Sequence, residues 1–202
     1  VSPGLPILFQ NTPCVADMRT LAYTTGGPET ALMRRAAVQL SHHVGVPACS
    51  HGHTSSAGLD LQAGSEKALN QLVIATARPA LLGGLGGMAN VSLTSYESIL
   101  LDNELFGAIG RLLEGVRVDE DRLAFEAIAA LAQGDDAIAS PHTVKYLRLG
   151  EVWEPRLADR RGAGPAEGRD GHSVELARAE ARRLLAAHQV EPLPREVQQE
   201  ID

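Results

Sequence analysis

The chain is 202 residues long, 44 % hydrophobic, 21 % charged and 3 % aromatic. This composition describes a folded domain with a core of Ala, Leu, Val and Ile, and it excludes an extended disordered chain. A net charge of −7 without any basic cluster argues against nucleic acid or an anionic membrane as the main partner.

Two cysteines, Cys14 and Cys49, make no disulfide framework and fit a reducing, cytoplasmic setting. The most apolar run, "LVIATARPALLGGLGGMANV", is broken by Arg78 and Pro79 and is too rich in glycine to span a membrane. No signal peptide is visible. The opening "VSPGLP" reads as a cut through a larger protein.

In chain order, "PILF" (6–9) is strand-like and leads into a long loop containing "DMRT". A helix opens at "GGPET", where Pro28 suits the first turn and Glu29 faces the positive end of the dipole. Leu32, Ala36, Leu40 and Val44 fall four apart on one face, and Gly45 ends this helix. "VPACS" (46–50) is a second strand. The next helix, 62–77, carries Leu69, Leu72, Val73 and Ala77 as its buried stripe. "ALLGG" (80–84) is a third strand and runs into the glycine-rich "GGLGGMAN". A third helix, 95–114, presents Leu101, Leu105, Ile109 and Leu112. Asp119 caps the helix "EDRLAFEAIAALAQ", which Gly134 closes. The polar stretch 159–172 is an exposed loop, and a last helix, 173–188, has Ala177, Ala181, Leu184 and His188 on one side.

Three strand-then-helix units in succession predict an α/β fold with a parallel sheet. They are too few to close an eight-stranded barrel, so the expected architecture is the C-terminal portion of a (β/α)8 TIM-type barrel followed by a helical region. Residues 1–150 form the partial barrel with its following helices, and residues 151–202 a helical extension of the same domain. In such folds chemistry sits in the loops after the strands, here 10–27, 50–61 and 84–94.

The second of these loops holds "CSHGH", with Cys49, His51 and His53. Thiolate and imidazole are zinc ligands, and an H-x-H at a strand end can aim both rings the same way. A metal-dependent hydrolase using His51 and His53 is therefore one reading. It requires further ligands from later strands, and neither "ALLGG" nor its loop offers one. The glycines of "GGLGGMAN" lack both the G-x-G-x-x-G spacing and a following Lys-Ser/Thr, so they read as close backbone approach rather than a phosphate loop. Asp60 can cap the second helix, and Asp102, inside a helix, reads as part of a solvated or salt-bridged face.

Five blocks, "DMRT", "GGPETALMRRAAVQLSHHVGVP", "LDLQAGSEKALNQL", "SYESILLDNELFGAIGRLLEGVRVDEDRLA" and "SPHTVKYLR", occur in the order and spacing of one family. The chain resembles the trimethylamine methyltransferase family, the cobamide-dependent methyltransferases that include non-pyrrolysine glycine betaine methyltransferases. Its most specific parts are D-x-Q-A-G-x-E-K (60–67) and the acidic helix around "LLDNE". The resemblance implies a TIM-barrel enzyme, about twice this length, that moves a methyl group from a methylated amine to a corrinoid on a separate protein. No cofactor would then be bound directly. The sequence contains no pyrrolysine, which favours a quaternary amine such as a betaine over trimethylamine. On this resemblance His53 and Asp60 are the candidate catalytic residues. Asn11, Arg19, His51, Thr54, Ser55 and His142 are candidates for binding substrate, and no metal is expected. A non-catalytic half-barrel that serves as an interaction module is the remaining alternative. Two unpaired sheet edges further predict a homo-oligomer.

Overall fold

The computed structural model describes residues 4–158, 160, 172–194 and 197–198. Three parallel strands, β1 (Phe9–Gln10), β4 (Ala48–His51) and β5 (Leu81–Gly83), form a sheet in the order β1-β4-β5. The register pairs Phe9 with Ala48, Cys49 with Leu81 and His51 with Gly83. The α/β class with a parallel sheet is as the sequence predicts. Two short antiparallel pairs, β2 (Val15–Ala16) with β3 (Tyr23–Thr24) and β6 (Gly87–Met88) with β7 (Leu93–Thr94), sit in the loops and carry no sequence pattern of their own. The first strand starts later than "PILF" suggests. Pro6 has no N–H to donate, and the ladder begins only where Phe9 N–H reaches the Pro47 carbonyl at 2.8 Å.

Helix α1 (Pro28–His43) begins at its proline and carries Glu29 in the first turn and both histidines in the last. It ends in a complete Schellman motif: Gly45 N–H donates to the His42 carbonyl and Val46 N–H to that of Ser41, with Gly45 at φ +71°. Helix α2 (Leu61–Ala75) is capped by Asp60, which accepts from Ala63 N–H, and α3 (Tyr96–Glu114) by Ser95, which accepts from Ser98 N–H.

The apolar stripe read from the sequence is not the buried face of α1 and is only partly that of α2, where Leu72, Val73 and Ala77 are half-buried and Ala77 packs on the core. On α1 the buried residues are Thr30, Ala31, Arg34, Val38 and Ser41, while Leu32, Leu40 and Val44 are 59 %, 63 % and 65 % exposed. On α2 Leu69 faces outward, and Ala63, Lys67, Asn70, Gln71, Ile74 and Ala75 are buried. The reason is the work these faces do. Each meets the sheet through one small apolar cluster, Val38, Ala48 and Ile74 with Ala77 and Leu82 against it, and its buried polar residues hydrogen-bond to loops, as Arg34, Asn70 and Gln71 do, or, for Lys67, to α3. On α3, Ile109 is buried but Leu112 is exposed, and Ser98 and Asp102 join the covered face.

Beyond α3 the regular elements among the described residues are helices, as expected. The expected helix from Glu120 is divided at Ala124, φ +54°, into α4 (Glu120–Leu123) and α5 (Phe125–Ala132), with neither Gly nor Pro at the break. "SPHT" opens a further helix, α6 (Pro141–Arg148), with Ser140 accepting from Thr143 N–H and Pro141 in the first turn. The last helix, α7 (His172–Ala187), packs on α3 and buries Ala177 and Ala181, whereas Leu184 and His188 are exposed. The loop expected over 159–172 lies almost wholly outside the described residues. No helix among the described residues is long and apolar enough to cross a membrane.

Candidate functional site

Because β1, β4 and β5 run in one direction, the loops that follow them gather at one end of the sheet, beyond the carboxyl ends of its strands. Strand alternation then decides which side chains face where. Ala48 points toward α1 and α2, since it clusters with Val38 and Ile74, so Cys49 and His51 lie on the opposite face. Gln10 pairs with Cys49 in the register, and its Nε2 lies 3.4 Å from Nδ1 of His51.

The rings of His51 and His53 are 4.3 Å apart, tilted by 43°. His53 is 4 % exposed and rests directly on the backbone of the third strand's loop. A Cβ on Gly84 would meet His53 Nε2 at 2.5 Å, and one on Gly87 would meet its Cδ2 at 2.5 Å. Only glycine leaves room for the imidazole there, which explains two glycines of "GGLGG" in steric terms. Burial lowers the His53 pKa to about 3, with smaller contributions from His51, Arg34 and Lys67. Burial and the nearby Arg34 bring His51 to about 4. Both imidazoles are therefore neutral at neutral pH. Among the described residues, His53 Nδ1 is buried without a hydrogen-bond partner.

Helix α2 holds this region from below with three polar residues, and a fourth, Lys67, reaches α3. The Glu66 carboxylate accepts from Thr54 Oγ1 at 2.6 Å and from Ser55 N–H at 2.7 Å. Gln71 Nε2 donates to the Gly52 carbonyl at 2.8 Å, and its Oε1 accepts from Gly52 N–H at 3.3 Å. Asn70 Nδ2 donates to the carbonyl of Gly26 at 2.8 Å. Lys67 donates to Asp102 Oδ2 at 2.7 Å and to Ser98 Oγ at 2.6 Å. From α1, Arg34 donates to the carbonyls of His51 and Pro13 at 2.5 and 3.2 Å. Asn90 ties the loops across the top: its Oδ1 accepts from Thr25 N–H and Oγ1, its carbonyl accepts from Tyr23 Oη, and its N–H donates to the Thr54 carbonyl.

The sequence-derived candidates divide accordingly. His51, His53, Thr54 and Ser55 come together. Asp60 stands at the same loop's end, capping α2 and accepting from Ser56 Oγ at 2.8 Å. Asn11 is an exposed residue just beyond β1. Arg19 sits in the turn between β2 and β3, where its N–H donates to Asp17 Oδ1. His142 is bonded through Nε2 to the Asp121 carbonyl and lies against Tyr146, in the α4–α6 cluster. Sequence reasoning assigned no role to Glu66, Asn70, Gln71 and Lys67. The available signal was the polar spacing Glu66, Asn70 and Lys67, Gln71, each four apart on one helical face. Asp102 is salt-bridged, as one of its two readings had it, but it is 2 % exposed rather than solvated. Among the described residues no group of three or more His, Cys, Asp or Glu is placed to hold a metal ion.

A family model, Trimethylamine methyltransferase (MTTB), matches residues 1–202. The chain is 32 % identical over 162 residues to the glycine betaine methyltransferase of Desulfitobacterium hafniense (strain Y51), covering 79 % of this chain and 34 % of that protein. It is 27 % identical to the trimethylamine methyltransferase MttB of Methanosarcina thermophila, covering 97 % of this chain and 41 % of that protein. To the MttB of Desulfitobacterium hafniense (strain DSM 10664 / DCB-2) it is also 27 % identical, covering 97 % and 40 %. This chain belongs to the trimethylamine methyltransferase family, as its sequence blocks indicate. It spans about two fifths or less of the length of these relatives.

Proposed function

We propose that this chain is part of a methyltransferase that passes a methyl group from a quaternary methylated amine, such as a betaine, to a corrinoid on a partner protein. The observation that carries the reading is the neutral His51–His53 pair at the strand ends of a chain belonging to this family. A quaternary ammonium has no N–H to donate and is repelled by fixed positive charge. Two imidazoles held uncharged by burial offer ring faces and polar edges without that repulsion. The corrinoid would supply a strongly nucleophilic cobalt(I). The residues of this chain would then have to hold the cation in line and keep water out. His53, wedged against Gly84 and Gly87, fits the first task, and the buried polar residues Thr54 and Ser56 fit the second.

The parallel sheet is read as part of a (β/α)8 barrel. Its support is the exposure of Leu5, Ile7, Leu8 and Phe9 at one edge and Leu81 at the other. The metal-hydrolase reading has less support, because the described residues offer His51 and His53 no third ligand. The test uses the full-length protein with a set of methylated amines and a reduced corrinoid protein. Demethylation of a quaternary amine that depends on the corrinoid protein is expected. Hydrolysis of an ester or amide dependent on added zinc, without methyl transfer, would overturn the proposal.

A further inference from the structure

The two sequence blocks most specific to the family, D-x-Q-A-G-x-E-K and "LLDNE", meet in space. Lys67 of the first and Asp102 of the second form an ion pair at 2.7 Å, with side chains only 6 % and 3 % exposed. Stability alone does not account for such a pair. Removing two charges from water costs nearly as much as their attraction returns, so apolar residues of similar volume commonly serve a fold as well. What apolar residues cannot supply is direction.

Direction is what this pair provides. Asp102 Oδ2 accepts from Lys67 Nζ and also from the backbone N–H of Gly86, at 2.7 Å each. Gly86 lies between the two glycines that touch His53 and has φ +82°, with Gly84 at φ +87°. Over residues 83–87 the loop has a single side chain, Leu85, which is 41 % exposed, so this glycine-rich part has little of its own to fix it and loses much conformational freedom on ordering. The described bonds holding it are Gly87 N–H to the Gly84 carbonyl at 3.4 Å, Ala89 N–H to the Ser56 carbonyl at 2.8 Å, Asn90 to Thr54 and Thr25, the short ladder of Gly87 and Met88 with Thr94 and Leu93, and the Asp102 carboxylate. Of these, only the Asp102 bond ties the loop to a helix. Ser98 takes a second Lys67 hydrogen and leaves the ammonium less room to turn away from Asp102.

We propose that Lys67 and Asp102 are positioning residues for His53: through Gly86 they fix the glycine loop against which the imidazole rests. This rests on reading His53 as a site residue, but its test does not depend on methyl transfer. The chain of contacts runs from α2 to α3, from α3 to the backbone of the third strand's loop, and from that backbone to the ring. Neither Lys67 nor Asp102 is a catalytic residue on this account.

The test is residue-resolved acylation of histidines in the full-length protein by diethylpyrocarbonate at neutral pH, read by peptide mass spectrometry. His53, packed between backbone segments, should react slowly, and the exposed His42 and His43 quickly. The double variant Lys67→Met/Asp102→Leu removes the charges and the bond to Gly86 together while keeping the volume. It should melt near the parent temperature, yet acylate at His53 about tenfold faster through local opening, with His42 and His43 unchanged. The Ile74→Val variant, which loosens the Val38–Ala48–Ile74 cluster instead, should leave His53 protected. Where the double variant does not fold, Lys67→Met/Asp102→Ala, which likewise removes both charges and the acceptor for Gly86 N–H and adds no bulk, takes its place with the same expectation for His53. Unchanged His53 acylation in a folded variant would overturn the proposal, and so would an equal rise in Ile74→Val.

Discussion

The Glu66 carboxylate spans two residues of the loop after β4, accepting from the hydroxyl of Thr54 and the backbone N–H of Ser55. Both bonds come from one side-chain oxygen, Oε2, while Oε1 accepts from Gln62 Nε2 at 2.9 Å. A helix residue thereby sets the path of the strand's exit directly after His53. Charge-assisted bonds of this kind contribute more than neutral ones, about 1.5–3 kcal/mol each before solvent screening. Glu66→Gln keeps the shape and loses the charge, so a modest fall in melting temperature is expected. Glu66→Ala should cost more and should speed hydrogen exchange at Ser55 N–H specifically. Uniform exchange acceleration across α2 instead would mean that Glu66 supports the helix and not the loop.

The histidine pair fixes the sign of the pH dependence. In the fold, burial places His51 at about 4 and His53 at about 3, below the ordinary histidine value of 6.5. The unfolded chain therefore binds more protons between these values and 6.5, and stability must rise with pH across that window. It is fully present above pH 6.5 and is lost as pH falls toward 4. Asp102 acts in the opposite sense, because burial raises its pKa against the pull of Lys67 and Gly86 N–H. The lowered carboxylates Asp17, Asp60 and Asp119 add their own loss only below about their ordinary 3.8. Thermal melts from pH 7 to 4.5 should show a falling transition temperature, and His53→Gln should flatten the slope. A slope unchanged by His53→Gln and His51→Gln would remove the pair as its source.

How much of this was legible in the sequence differs by level. The parallel α/β order, the caps at Asp60 and Asp119, and the helix stop at Gly45 all come from local chemistry that the residues state directly. The burial faces of α1 and α2 do not. Leu32, Leu40 and Val44 form a regular line at helical spacing, yet they point away from the sheet. The inward positions are polar because they bond to loops distant in sequence, such as Arg34 to the His51 carbonyl and Asn70 to the Gly26 carbonyl. Periodicity reports an amphipathic helix and cannot say which face the fold covers when polar groups have partners. The same holds at the candidate site. His53 was visible as an H-x-H at a strand end, whereas the helix residues that frame it were visible only as a family block.

Those outward leucines and the open sheet edges lead to an expectation about the isolated 202-residue chain. Exposed Leu5, Ile7, Leu8 and Phe9 beside β1, together with Leu32 and Leu40 on α1, are an apolar surface of the kind that monomeric domains seldom leave bare. Sedimentation should show concentration-dependent association. A stable monomer with a single cooperative unfolding transition would show that the sheet needs no further strands.

Asp60 invites a two-way comparison. Its oxygens accept from Ala63 N–H at 2.8 Å and from Ser56 Oγ at 2.8 Å, which makes it a cap and a brace for the site loop at once. Asparagine caps helices about as well as aspartate, but it carries no charge. Asp60→Asn should therefore melt close to the parent, and Asp60→Ala clearly lower. If Asp60 also serves methyl transfer, turnover per folded molecule falls in both variants. If it is a cap alone, turnover follows the folded fraction and Asp60→Asn is nearly silent.

The loop across the top of the site stores strain where it can be measured. Ala89, Asn90 and Val91 follow one another at φ +48°, +53° and +74°, and a β-branched residue at positive φ is the costliest of the three. Asn90 tolerates that region and is held by Thr25, Tyr23 and Thr54. Val91 is 55 % exposed, so it has little packing to offset its strain, and such a residue costs on the order of 1–3 kcal/mol. Val91→Gly should relieve that cost and raise the melting temperature, less the entropy glycine adds to the unfolded chain. Asn90→Ala should do the reverse, because it removes the acceptor for Thr25 while leaving an alanine at positive φ. If Val91→Gly stabilises and methyl transfer by the full-length protein is unaffected, the strain is incidental to the turn. If stability rises while turnover falls, the left-handed turn is holding the loop above His53 in a shape that the chemistry uses. A fall in melting temperature for Val91→Gly would show that the valine side chain is held by contacts worth more than its backbone strain.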